Sequence, residues 1–202
     1  MITYLIIGIT VLISFLAFQN ILLMERLQYN PARVIHRKQY YRLFSHAFVH
    51  VGWTHLIVNM FVLYFFGQNV ENYFSYFFGN RAKFFFVILY IGGILFSNTW
   101  SLIKYRNDYF YNAVGASGAV SAVLFTFIFI NPWEMLYLFA IIPIPGIIFG
   151  AGYLLYSYYM VKRKTDNIAH DAHFLGAVFG ILFPIALKPE LLVRFIELLF
   201  KF

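Results

Sequence analysis

Six separate runs of this chain are apolar and long enough to be membrane-spanning helices: residues 2–24, 53–74, 84–103, 113–131, 133–160 and 168–187. A bilayer core is crossed by about 20 consecutive apolar residues. So many runs cannot all be buried in one soluble core. The pattern therefore predicts helices packed side by side in lipid, with every backbone polar group satisfied internally. Composition agrees. Charged residues are 11% of the 202, against about a quarter in a soluble domain, which excludes a soluble globular protein and a disordered chain. The expected architecture is an all-α membrane protein with a six-span domain over residues 1–187 and an interfacial tail over 188–202.

The first run has neither a basic leader nor a small-residue cleavage site, so it reads as an anchor rather than a signal peptide. The longest link, 25–52, holds Asn30-Pro31 and a basic and aromatic stretch through Arg33, Arg37, Lys38 and Arg42, consistent with an interfacial helix. In the tail, Glu190, Arg194, Glu197 and Lys201 recur every three or four residues, the pattern of an amphipathic helix lying in the interface. Asn131-Pro132 punctuates the fourth and fifth runs. Pro143, Pro145, Gly146, Gly150 and Gly152 crowd the fifth, which predicts a kinked span and a candidate gate for substrate entering from lipid. The net charge of +7 belongs at lipid headgroups and loops rather than on nucleic acid. Cysteine is absent, which excludes a thiol nucleophile, a disulfide framework and a thiolate metal site.

Polar residues inside spans are costly and mark candidate sites. The second run carries His55 and Asn59, four apart and so on one helix face. The fourth opens with Gly115-Ala116-Ser117-Gly118, and the sixth has His173 followed by Gly176 and Gly180 on one stripe. Spans two, four and six enter the bilayer from the same side, because two crossings return the chain. Each polar group lies a few residues after its span begins, roughly 5–10 Å below one surface at ~1.5 Å per residue. Ser, His and Asn from three distant segments therefore share one depth. The small residues permit the close helix approach that a serine–histidine hydrogen bond needs.

These residues resemble a known family. His46-Ala-Phe-Val-His50, then His55 and Asn59, then Gly115-Ala-Ser117-Gly118, then Ala172-His173-Phe-Leu-Gly176 and Gly180 together closely resemble the rhomboid intramembrane serine proteases. The resemblance implies a six-span bundle with a long first loop and a serine endopeptidase acting through a Ser117–His173 dyad. It further implies an oxyanion hole from Asn59, His55 and the Ser117 backbone N–H. His50 would order the water-accessible side, with Gly115, Gly118, Gly176, Gly180 and Arg42 in support. Tyr41-Arg42 stands where the family carries Trp-Arg, and Glu71 resembles a structural polar residue on the far side. Ser121 departs from the pattern, because family members commonly carry a tyrosine there, stacked on the catalytic histidine.

The implied substrate is a single-span membrane protein within the bilayer, with no cofactor, no metal and no nucleic acid. Physical chemistry supports the same assignment: a hydroxyl needs an adjacent base, and a helix N-terminus at Ser117 offers free N–H groups to a developing oxyanion. Asp171 is two residues from His173, toward the opposite face of a helix. One alternative is a metal-dependent membrane enzyme using His46, His50, His55, His170 and His173; another is a non-catalytic relative that binds membrane helices. Ten Lys and Arg lie on the side of link 25–52 and five on the other. Charge alone would make the first side cytoplasmic. The resemblance implies the reverse: a bacterial plasma membrane with the site facing outside.

Overall fold

The computed structural model describes residues 1–138, 141–163 and 169–200; Lys164, Lys201 and residue 168 at the start of the last apolar run lie outside them. The first helix, α1 (Ile2–Gln19), ends at Asn20, whose side chain caps the short α2 (Ile21–Leu27) by accepting from the Leu23 N–H at 3.1 Å. Asn30 caps α3 (Pro31–His36) in the same way through the Arg33 N–H at 2.8 Å, with Pro31 in the first turn where its missing N–H costs nothing. The first link is thus not one interfacial helix. It is a chain of short turns, α3, then α4 (Arg42–Ser45) and a 3₁₀ turn at His46–Phe48.

Two long helices follow, α5 (Trp53–Phe78) and α6 (Ala82–Ser97), joined by a tight turn in which Gly79 has φ +54°. They pack against each other. The short α7 (Thr99–Lys104) leads into an extended segment, and α8 (Ser117–Ile130) is the central helix, buried at every position from Gly118 to Ile130. Around it pack α5, α6, α9 (Gly146–Arg163) and α10 (His170–Leu187), with α1 on the outer face of α5 and α11 (Glu190–Phe200) across the far end. Ile2–Gln19, Trp53–Lys104 and His170–Leu187 are long and apolar enough to cross a membrane, and Ser117–Ile130 and Gly146–Val161 are shorter apolar helices.

Far from the histidines, α1 is fixed to α5 by the buried carboxylate of Glu71. It accepts from Ile2 N–H at 2.9 Å, Thr3 N–H at 2.7 Å and the Thr3 hydroxyl at 2.6 Å. A carboxylate at the positive end of a helix satisfies donors that have no partner within it.

The fifth apolar run is not a single kinked span, and the fold is not purely helical. Residues Met135–Leu138 (β1) and Ile142–Pro145 (β2) form an antiparallel hairpin, and the helix begins only at Gly146. The cause lies in the prolines. Pro132 stops α8, and alternating Ile-Pro-Ile-Pro favours extended backbone. Gly146 N–H bonds Glu134 O at 2.9 Å, so the even-numbered amides face β1. Pro143 and Pro145 then lie on the outer edge, where no ladder bond is lost. Neither proline kinks a helix.

Candidate active site

The site begins with a seam of bare backbone between α8 and α10. A Cβ placed on Gly176 would lie 2.1 Å from the carbonyl oxygen of Gly118, and one on Gly180 2.1 Å from that of Ala122. The paired positions advance together along both helices, so α8 and α10 run parallel with Gly118 beside Gly176. The Thr126 hydroxyl closes the seam lower down by donating to Gly180 O at 2.7 Å. On α6, Ser97 presses on Gly118 and Gly93 on Ala119 and Ala122. The Ala172 carbonyl oxygen also lies beside Gly118, 3.6 Å from where its Cβ would stand. Ser117 and His173, each next in sequence to one of these two, therefore lie at the same end of the seam. Both are only partly buried, as groups that must meet water should be.

Ser117 is the first residue of α8, so its N–H and the next ones have no acceptor within the helix. The turn before it is held from the first link. Gly115 has φ +117°, a conformation favouring glycine, and its bare α-carbon lies against the His55 ring: a Cβ there would be 2.6 Å from Cε1. Gly115 N–H bonds His46 O at 2.9 Å, and Ala116 N–H donates to His50 Nε2 at 3.4 Å. His50 Nδ1 in turn meets Ser14 Oγ at 3.0 Å, and that hydroxyl donates to Phe48 O at 3.0 Å. The chain of bonds is consistent only with a neutral His50 protonated on Nδ1. Burial, aided by the nearby His55, pushes its pKa down to about 3. His46 behaves likewise. Its Nδ1 bonds Arg42 O and its Nε2 bonds the Asn98 amide, both at 3.0 Å, and burial lowers its pKa to about 4.

The rest of the first link braces this turn. Tyr29 pairs with Ala113 through two backbone bonds of 2.8 and 3.0 Å. The Asn30 amide donates to Tyr109 O at 2.9 Å and Tyr111 O at 3.0 Å. Arg42 is buried and structural. Its guanidinium bonds Gln39 Oε1 and the carbonyls of Glu25 and Gln28 at 2.7–2.9 Å, and lies over the Tyr41 ring at 5.3 Å. Such bonding satisfies the non-helical backbone that a chain entering a membrane must otherwise leave bare.

On α5, the His55 ring meets the His50 ring edge-on at 5.0 Å. Asn59 is buried one turn further on, one amide N–H donating to His55 O at 3.0 Å and a second N–H remaining on the group. Asp171 accepts from the next amide, Ala172 N–H, at 3.0 Å. Among the described residues, no three His, Asp or Glu side chains converge as metal ligands would. The histidines form ring pairs instead: His50 with His55, and His170 with His173 at 6.0 Å.

Sequence reasoning missed three contributors. Ser14 on α1 and Asn98 beyond α6 hold histidines of the first link, and neither carries a local signal. The third is Tyr153 on α9, whose ring lies nearly parallel to that of His173, at 6.3 Å and 20°. Its hydroxyl is 3.0 Å from Ser121 Oγ.

Comparison with known proteins adds two findings. A family model described as the Rhomboid domain matches residues 37–190. The chain is 29% identical over 155 residues to RHOMBOID-like protein 12, mitochondrial, of Arabidopsis thaliana, an alignment covering 69% of this chain and 44% of that protein. The chain thus spans less than half the length of this relative.

Proposed function

Because the chain belongs to the rhomboid family, we propose that this integral membrane protein is a serine endopeptidase that cleaves single-span membrane proteins in or near their transmembrane segments. The chain crosses the bilayer six times in this reading. The crossings are α1, α5, α6, α8, α9 and α10, with α11 in the interface.

Ser117 Oγ attacks the substrate carbonyl carbon while its proton passes to His173. The carbonyl oxygen becomes an oxyanion, held by the Ser117 N–H, the second Asn59 N–H and His55. As the tetrahedral intermediate collapses the C–N bond breaks, and His173 returns the proton to the leaving amine. Water, deprotonated by His173, then attacks the acyl ester and releases the acid and Ser117. His50 acts through the Ala116 amide, fixing the turn that aims Ser117. The lengths fit this reading: α8 has 14 residues, about 21 Å at 1.5 Å per residue, so Ser117 begins its helix below the membrane surface.

The observation that supports the reading is the Gly118–Gly176 backbone contact, which brings Ser117 and His173 to the same end of one close-packed seam. The test is a fluorophosphonate probe on protein in detergent. It should label Ser117 in the wild type and fail in Ser117→Ala and in folded His173→Ala, and both variants should lose cleavage of a model transmembrane substrate. Chelation should leave the wild type active. Loss of activity on chelation, restored by added metal and without a mark on Ser117, would transfer the assignment to the histidines as metal ligands.

The site faces outward across a bacterial plasma membrane in this reading, against the excess of basic residues on that side. Cysteines placed at residues 33–42 should react with an impermeant thiol reagent in intact cells; reaction only after lysis would reverse the orientation.

A further inference from the structure

His173 has a partly exposed imidazole at the mouth of the seam, and the seam fixes its backbone but not its ring. A ring in that position turns about its Cβ–Cγ bond unless something planar blocks it. Among the described residues, two aromatic rings flank it: His170, edge-on at 6.0 Å and 74°, and Tyr153, near-parallel at 6.3 Å and 20°. The second is an offset stack within the usual range for aromatic pairs, and only a parallel plate restricts rotation of the imidazole plane. Tyr153 is itself held in place. Its hydroxyl bonds the buried Ser121, one turn after Ser117 on α8, and its ring packs on Phe125 at 5.6 Å and Phe149 at 6.1 Å.

The tyrosine comes from α9, which is seated differently from α10. Cβ atoms on Gly146 and Gly150 would meet their neighbours at 3.3–3.6 Å, whereas those on Gly176 and Gly180 would overlap backbone at 2.1 Å. An apolar cavity of about 210 Å³ lies between α9 and the helices behind it, lined by Phe125, Ile128, Gly150, Leu154, Ile181 and Phe195 among others. So α9 is seated less closely on α8 than α10 is.

We propose that Tyr153 is a positioning residue for His173, gripped by Ser121, so that the alignment of the general base depends on where α9 sits. A displacement of α9 that breaks the Ser121–Tyr153 bond withdraws the plate that holds the imidazole plane. The inference rests on the reading of His173 as the base.

The test is steady-state cleavage of a model transmembrane substrate, together with the rate of fluorophosphonate labelling of Ser117, in a variant series. Tyr153→Phe keeps the ring and loses one hydrogen bond, so kcat should fall by no more than about fivefold. Tyr153→Leu fills the space without a flat ring and should lower kcat and the labelling rate roughly 10- to 100-fold, the cost of a misaligned base, with KM within about threefold. The double variant Ser121→Tyr/Tyr153→Ala moves the ring from α9 to α8, into the space that the first tyrosine vacates. It should recover most of the kcat lost in Tyr153→Ala.

Tyr153→Leu at wild-type kcat, a defect confined to KM, or a double variant that folds but does no better than Tyr153→Ala would each overturn the proposal. Wild-type labelling separates its failure from that of the protease reading. If the wild type labels and Tyr153→Leu labels equally fast, only the role of Tyr153 falls. If the wild type neither labels nor cleaves, the protease reading falls and takes this one with it.

Discussion

The two sides of the candidate site are built by different means. On one side, the turn before Ser117 is tied by hydrogen bonds to residues some 65 to 85 positions away in sequence: Gly115 to His46, Ala116 to His50, Ala113 to Tyr29, and the 109–111 carbonyls to Asn30. On the other side, among the described residues, α9 rests on α8 and α10 through apolar surface, Gly150 at ordinary contact distance and the Ser121–Tyr153 side-chain bond. Between them runs the α8–α10 seam, where backbone meets backbone at Gly118–Gly176 and Ala122–Gly180. The difference teaches that Ser117 and the backbone of His173 are held more closely than α9, so that in the proposed reading room for a bulky substrate lies on the side of one helix. The proposed activity would need both: misplacement by about 1 Å costs about a hundredfold in rate, yet a helix-sized substrate must enter.

The strongest way to break this comparison is at the seam. In Gly176→Ala the new methyl would start 2.1 Å from Gly118 O, where no Cβ can remain, so the helices must part by about 1 Å to reach ordinary contact. We expect a loss of about 1–3 kcal/mol in stability from overpacking and at least a hundredfold in turnover as His173 leaves Ser117. Unfolding titrations and cleavage assays on the same preparation measure both. Wild-type turnover would show that the seam does not set the dyad.

Asn59→Ala probes the fixed side. Loss of one oxyanion donor should lower kcat by roughly 10- to 1000-fold with KM little changed. A change in KM alone would remove Asn59 from the oxyanion hole and leave it as a helix-packing residue bonded to His55 O.

These two positions were legible in the sequence, and the reason is physical. The glycines, Ser117, His173, His55 and Asn59 stand out because polar and very small residues are conspicuous against an apolar background, and helical spacing puts them at one depth. The partners that hold them were not legible. Ser14 and Asn98 are ordinary polar residues near helix ends, and what they bond lies tens of residues away. Tyr153 is one of 16 tyrosines, and only tertiary packing selects it for His173. The fifth apolar run was misread for another reason. Proline signals a kink in a helix and an edge position in a strand alike, and hydropathy cannot distinguish the two over Ile142–Pro145. The Glu71 cap of α1 needed the structure too, although the family resemblance implies a structural polar residue there.

Acid provides a milder test of the fixed side. Unfolded histidines bind a proton near 6.5, whereas in the fold His46 does so only at about 4 and His50 at about 3. From pH 6.5 down to about 4 the unfolded state therefore holds more protons, and stability falls as pH falls. At pH 5 the expected loss is roughly 2 kcal/mol for each ring. Thermal unfolding between pH 7.5 and 5 reads it, and a His46→Gln/His50→Gln double variant should have a flatter profile from a lower starting stability. An unchanged midpoint across that range would mean that the first link does not hold these rings neutral.

The smallest effect is expected on α9 itself, at Gly152. This glycine is exposed on the outer face of the helix, and a Cβ added there meets nothing within 4 Å. Alanine should therefore fit without moving a neighbour, in contrast to Gly176 on the facing helix. Glycine in a helix interior is disfavoured by about 0.5–1 kcal/mol relative to alanine, because the unfolded chain has more freedom to lose. Gly152→Ala should thus raise the unfolding midpoint slightly and leave kcat within about twofold, since the new methyl touches neither the seam nor Tyr153, the proposed positioning residue. If kcat fell as far as in Gly176→Ala, with the midpoint unchanged or raised, the bending of α9 at Gly152 would itself be part of turnover. The division between a fixed side and a side that merely yields would then have to be redrawn, with α9 as a working part of the site.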